Sequence, residues 1–336
     1  MSRKSCVVFG GTGYLGAHIV DACLKSGYSV RAASRNAEEA AWLRELPSAR
    51  EARPGDLELR AFDLSSASDA DFDSVLAGAD CAFLAAGIEK QELLTVTTMV
   101  GWATKLLRSA RREGVGAVVI TSSGGSANPT GHSDSTPKRE HEHYSNPGWQ
   151  IACGKYSPAA KTLMEMAAFA EVGRSLANEV VDEQRAEGAP RLCIMNPNWI
   201  NGPQLKPGPP SGNSLPLCAR FLSGDFPFMK ESIAPGSMSF VDVRDAASMH
   251  VACASSESAS GRYFAVERSY AWEEIFQAFK AASPNIKVPP KGYDGPPHET
   301  TQYDNSRRLS IFPGELRNIT ETMEDVAEQL RGLGLL

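Results

Sequence analysis

Short apolar runs alternate with longer amphipathic stretches from the first residues onward. Cys6-Val7-Val8-Phe9 is apolar and β-branched and stops at a pair of glycines, after which Tyr14 to Val20 follows with helical spacing up to Gly27. Strand, glycine turn and helix are therefore predicted in that order. Further apolar strands are predicted at Tyr28 to Ala33, Leu57 to Phe62, Cys81 to Leu84, Ala117 to Ile120 and Leu192 to Met195, with helix-like stretches between them. Apolar strands joined by crossovers of helical length imply an α/β, doubly wound, mostly parallel sheet covered on both faces.

Past Asn196 the pattern changes. Gly202 to Pro216 and Pro289 to Pro297 are dense in proline and glycine and strands become sparse, so a smaller, loop-rich C-terminal lobe is predicted. The expected division is a first domain at 1–200 with 236–266 packing back onto it, and a substrate-binding lobe made of 201–235 and 267–336. The polar stretch from Gly124 to Gly148 reads as a long loop beside the site and a candidate mobile lid. No internal repeat or low-complexity tract interrupts the chain.

Composition narrows the function classes. Of 336 residues, 42% are hydrophobic and 22% charged, near globular averages, and 34 Lys and Arg against 40 Asp and Glu leave a formal net charge of −6. That sign argues against nucleic acid as a partner. Seven cysteines with no CxxC pair suggest neither a disulfide framework nor a zinc site, and suit a reducing, cytoplasmic setting. The apolar run after Met1 is too short for a signal peptide, and no segment reaches the length of a membrane span. A monomer or homodimer acting on a small molecule is expected.

Gly10-Gly11-Thr12-Gly13-Tyr14-Leu15-Gly16 sits between the first strand and the first helix. A dinucleotide diphosphate needs close backbone approach and free amides at that place, so a Rossmann-type nucleotide site is expected. Two registers fit: GxxGxxG on Gly10, Gly13 and Gly16, and GxGxxG on Gly11, Gly13 and Gly16. A glycine-rich surface turn is the bland alternative. The end of the second strand reads Arg31-Ala32-Ala33-Ser34-Arg35-Asn36, with no acid to bind the adenosine ribose hydroxyls. Arg35, with Ser34, suits a 2′-phosphate, which favours NADP(H) over NAD(H) unless Arg35 is only a solvated loop arginine.

GGTGYLG, Phe62-Asp63-Leu64, Thr121-Ser122-Ser123, Lys161-Thr162-Leu163-Met164-Glu165 and Asn196-Pro197-Asn198-Trp199-Ile200-Asn201-Gly202-Pro203 occur in that order. Together they resemble the extended short-chain dehydrogenases/reductases. Phe240 to Ala246 and Gly261-Arg262-Tyr263 resemble the branch of dihydroflavonol and cinnamoyl-CoA reductases, and the likeness fades after about Ser283. The resemblance implies Asp63 and Leu64 near the adenine, Ala85 and Ala86 beside the cofactor, and Pro197 and Ile200 at the nicotinamide carboxamide.

Reducing a carbonyl with NADPH needs a donor on the oxygen and a proton source for the developing alkoxide. In the family these are Ser, Tyr and Lys. Ser123 ends a predicted strand and matches the serine, with Ser122 as fallback and a local turn serine as the bland alternative. Lys161 matches the lysine, on a helix expected to begin at Pro158 with Ser157 as N-cap. The family spacing is Tyr-x-x-x-Lys, but the residue four before Lys161 is Ser157 and Tyr156 is one position earlier. On a continuous helix, residues five apart, as Tyr156 and Lys161 are, are rotated by about 140° and do not share a face. A helix starting at Pro158 would free Tyr156 to swing into place, so Tyr156 is the expected acid, with Tyr144 or a water as alternatives. Taking Lys155 as the lysine puts Ile151 at the tyrosine position and is rejected.

Trp199 and the loops from Gly202 to Phe228, with Trp149 as a further candidate, are the expected walls of a pocket for an apolar or aromatic carbonyl compound, the alternative being that these tryptophans belong to the core. The cinnamoyl-CoA reductase string through the tyrosine is missing from Gln150 to Tyr156, which argues against thioester reduction. An epimerase, dehydratase or hydroxysteroid dehydrogenase on the same scaffold, and a redox-inactive NADP(H)-binding protein, are the competing readings. His141 and His143 lack further spaced ligands, so no metal is expected.

Overall fold

The computed structural model describes residues 3–286 and 299–336, apart from 89, 132, 175–184, 228, 230, 231 and 234. The apolar runs form β1 (Ser5–Phe9), β2 (Ser29–Ser34), β3 (Leu57–Ala61), β4 (Cys81–Leu84), β5 (Ala117–Thr121) and β6 (Arg191–Pro197), followed by β7 (Trp199–Asn201), β8 (Ser237–Asp242), β9 (Gly261–Ala265) and β10 (Arg268–Ala271). Between and after them lie α1 (Tyr14–Lys25), α2 (Pro47–Glu51), α3 (Asp69–Leu76), α4 (Leu93–Arg112), α5 (Pro147–Ala152) and α6 (Tyr156–Glu171), then α7 (Ser214–Leu222), α8 (Val243–Ser255), α9 (Trp272–Ala282), α10 (Ser306–Ile311) and α11 (Ile319–Gly332).

Seven strands pair in the order β3-β2-β1-β4-β5-β6-β9, every pair parallel. Alternate residues of each strand face opposite layers, so one strand serves two cores. Cys6 and Val8 of β1 pack with α1 and α8, while Val7 and Phe9 pack with α3, α4 and α6. The strand order reverses direction between β1 and β4, and a crevice opens there beyond the carboxyl ends of the strands.

The C-terminal region is more regular than its proline and glycine content predicts. Strands β10, β8 and β7 form a second sheet, and α7, α9 and α11 close over it around Trp199, Phe221, Phe240, Trp272 and Phe279. Apolar positions at 272, 275, 276 and 279, and at 319, 323, 326 and 330, carry the helical period. The described part of the proline- and glycine-rich sequence is confined to the connection before α7, and 289–297 lie outside the described residues.

The stretch from Gly124 to Gly148 is not draped over the crevice. Lys138 exchanges backbone bonds with Gln302 and Asp304, at 2.9 and 2.8 Å. The buried Arg262 guanidinium donates to the carbonyls of Glu140 and His143 at 2.7 and 2.9 Å and pairs with Glu165 at 2.9 Å. Glu165 accepts in turn from Ser122, Ser126 and Asn196. A polar composition that reads as a loop thus serves as the binding face for one buried cation.

Candidate active site

The first chain reversal is built by what glycine lacks. Gly10 has φ +79°, and its amide and that of Gly11 both donate to the Ala33 carbonyl, at 3.1 and 3.2 Å. A Cβ on Gly16 would lie 2.0 Å from the Gly10 oxygen, and one on Gly13 would lie 3.1 Å from it. Gly10, Gly13 and Gly16 therefore let α1 run close under the turn. Gly11 is needed where its Cβ would press on Val8 and Ala32 at 3.2 Å. Gly13 caps α1 without a side-chain bond, so the first-turn amides lack intrahelical acceptors beside an open crevice. A site with that donor set and no room for side chains fits a diphosphate.

The crevice is about 1100 Å³ and runs unbroken from this turn to the end of β5. At the nucleotide end its walls include Thr12, Tyr14 and Leu15, then Ser34, Arg35, Asp63 and Leu64. Gly11 and Gly16 act from behind the wall. The Ser34 hydroxyl donates to the Asn36 carbonyl at 3.0 Å, and Arg35 is exposed at the rim. Ala85, Ala86, Pro197 and Ile200 line the middle.

At the other end lie Ser123, Lys161 and Ser157. Lys161 Nζ donates to the Thr121 carbonyl at 2.8 Å and passes over Gly87, where a Cβ would be 3.4 Å away. The Ser123 oxygen accepts from the Gly125 amide at 3.0 Å, which leaves its proton to give. Ser122 also borders the crevice, but it is buried and its hydroxyl is committed to the Glu165 carboxylate.

Helix α6 departs from expectation. It begins at Tyr156 after Lys155, with no N-cap at Ser157, and Pro158 is its third residue. A proline is tolerated there because first-turn amides have no intrahelical acceptor to lose. With Tyr156 already helical, its ring does not swing free. It is half-buried against the edge of the core under α4 and α6, as are Ile88, Ile151 and Leu163, and it is absent from the crevice walls. Ser157 takes that wall, its hydroxyl donating to the Ile88 carbonyl at 3.2 Å and its amide to Gln91 at 3.1 Å. Tyr144 stands elsewhere, under the Arg262 guanidinium at 4.7 Å.

Trp199 lines the crevice and Trp149 does not. Trp149 is 45% exposed on α5, its ring covered by the Lys155 ammonium at 4.9 Å. The far wall comes instead from Leu94, Thr98 and Trp102, four residues apart along α4, facing Asn198 and the Gly212–Ser214 connection. Phe228 lies outside the described residues. The wall from α4 was missed by sequence reasoning, although the carboxyl end of β4 beside the switch point was the signal for it.

Two buried imidazoles support the ends. His18 Nε2 donates to the Pro203 carbonyl at 2.9 Å, and His250 bridges Thr121 Oγ1 and the Ala246 carbonyl at 2.8 and 2.7 Å. Burial lowers both to about 4. The Tyr14 hydroxyl donates to the Gly202 carbonyl at 2.6 Å, tying the nucleotide turn to the C-terminal lobe. His141 contacts only Glu142, and no metal-ligand group forms among the described residues. All seven cysteines are unpaired. Among the described residues no helix is long and apolar enough to cross a membrane.

A family model described as NAD(P)H-binding matches residues 10–163. Tetraketide alpha-pyrone reductase 2 of Arabidopsis thaliana is 24% identical over 346 residues, covering 98% of this chain and 99% of its own. The yeast methylglyoxal/isovaleraldehyde reductase Gre2, solved with NADPH, superposes with a TM-score of 0.81 at 22% identity, covering 99% of this chain and 100% of its own. Vestitone reductase from alfalfa (Medicago sativa L.) gives a TM-score of 0.77 at 22% identity, with both chains fully covered.

Proposed function

We propose that the chain is an extended short-chain dehydrogenase/reductase that transfers hydride from NADPH to the ketone or aldehyde carbon of an apolar or aromatic small molecule. The observation that carries this reading is the single crevice joining the glycine turn and Arg35 to Ser123 and Lys161. The names of the three proteins compared above, each a reductase, and the NADPH bound to the yeast protein support it.

The amides at the start of α1 would hold the diphosphate, and Arg35 with Ser34 the 2′-phosphate. Asp63 and Leu64 would flank the adenine, while Ala85, Ala86, Lys161, Pro197 and Ile200 would bound the nicotinamide riboside. The reduced cofactor supplies the hydride. Ser123 donates to the substrate oxygen, and the Lys161 ammonium stabilises negative charge developing there. The sequence assigns the final proton to Tyr156. With Tyr156 half-buried and outside the crevice walls, Ser123, Ser157 and Lys161 are the hydroxyl and ammonium donors at this end, and the proton is drawn from solvent through them.

The experiment is a panel of aryl and aliphatic ketones and aldehydes followed by NADPH absorbance. Carbonyl-dependent oxidation is expected. The position of Tyr156 favours one competitor, a redox-inactive NADP(H)-binding protein. Tight NADPH binding with no carbonyl-dependent oxidation would decide for it.

A further inference from the structure

We infer that Asn198 is a second hydrogen-bond donor to the substrate oxygen, held in place for that task by Tyr303 of the C-terminal segment. The inference rests on the reductase reading and names a residue to which that reading gives no role.

Asn198 follows the carboxyl end of β6 and lines the crevice between Pro197 and Trp199. Its carboxamide lies against the backbone directly after Ser123. A Cβ built on Gly124 would sit 2.4 Å from Oδ1 and 2.5 Å from Nδ2 of Asn198, so only glycine at 124 allows the approach. Asn198 is thus packed against the backbone that follows Ser123, and both residues line the same crevice.

One Nδ2 hydrogen of Asn198 goes to the Tyr303 hydroxyl at 2.9 Å. An amide nitrogen carries two hydrogens, and among the described residues the second has no acceptor while Asn198 lines the crevice. Tyr303 is well secured. Its hydroxyl pairs with Ser239 at 2.9 Å, and Ser239 pairs with Ser269 at the same distance. Its ring stacks edge-on against Phe264 with centroids 4.9 Å apart, and its backbone bridges to Lys138. Burial raises its phenol above the ordinary value, so the hydroxyl stays protonated and keeps both bonds near neutral pH.

This anchoring is what a transition-state donor needs, because a group fixed before reaction reorganises little as charge develops. A carbonyl oxygen receiving Ser123 from one side and Asn198 from the other has two neutral donors. Lys161 adds charge, and no phenol is required to bind the oxygen. The C-terminal segment at 299–305 thus reaches the chemistry through one side chain.

The test uses the full chain with NADPH and 1-phenyl-1,2-propanedione as probe, with variants Asn198→Ala, Asn198→Asp and Tyr303→Phe. NADPH dissociation constants are read by fluorescence and melting by calorimetry. Asn198→Ala is expected to lower kcat about 100-fold, the usual loss for one such donor, with KM and the NADPH constant within threefold. Asn198→Asp should lose at least as much, since a carboxylate donates nothing and repels the charge. Tyr303→Phe should lose about fivefold, because the amide is loosened but remains. An Asn198→Ala enzyme within threefold of wild type overturns this inference alone. So does a loss of kcat that tracks weaker NADPH binding and a lower melting temperature, which marks a structural role. Wild type that binds NADPH but oxidises none of it with any carbonyl overturns both this inference and the reductase reading.

Discussion

The two ends of the crevice are made in different ways. The nucleotide end is local: Gly10 to Gly16, Ser34 and Arg35 come from one β-α-β unit, and its shape follows from side chains that are missing. The chemical end is assembled from Ser123 after β5, Ser157 and Lys161 on α6, and Asn198 after β6, braced by Tyr303 from near the C-terminus. A site built from backbone tolerates little change in a few places. One built from side chains distributes its dependence along the chain.

The sharpest way to break the contrast is Gly16→Ala. Its methyl would overlap the Gly10 oxygen at 2.0 Å, so the turn must move, at a cost of about 3 kcal/mol and the loss of measurable NADPH binding. Retained binding would show that the cradle is not backbone-limited. Next is Lys161→Ala, expected to lower kcat about 100- to 1000-fold while NADPH binding falls less than tenfold, a split read by steady-state and fluorescence measurements. Arg35 is exposed, so Arg35→Ala should weaken NADPH by only about tenfold and leave NADH unchanged. Equal loss for both coenzymes would remove the 2′-phosphate assignment.

A pH dependence compares the ends through His18 and His250. Each is held neutral, at about 4, by burial. The unfolded imidazole takes a proton near pH 6.5. The stability each ring contributes is thus complete above about pH 6.5 and is lost as pH falls toward 4, by about 1.4 kcal/mol per pH unit. Denaturant melts of wild type and His250→Asn between pH 7 and 4 should differ in slope by one proton. Parallel curves would mean that the ring is already charged in the native state.

Legibility followed the same division. The strands, the glycine turn, the absence of an acid after β2 and Lys161 were readable because each is a local pattern with one physical cause. Ser157 was visible at the right spacing, but the start of α6 decides whether Tyr156 can reach the crevice. That start depends on tertiary packing, since proline fits several first-turn positions. Trp149 was misplaced because aromatic character does not say which side of a helix is covered. Asn198 and Tyr303 lie 105 positions apart, a pairing that no spacing rule contains. The lobe after Asn196 was underestimated because proline and glycine between helices masked their period.

Arg262 has a consequence for how the protein can be divided. Its guanidinium, carried by β9, neutralises Glu165 on α6 and satisfies the carbonyls of Glu140 and His143, both long before it in sequence. A chain cut after residue 200 would keep the carboxylate and the carbonyls but not the cation, leaving an interior charge unmatched and the sheet without its last strand. The nucleotide-binding half is therefore no autonomous module. On the ribosome it stays incomplete until about sixty more residues have been made.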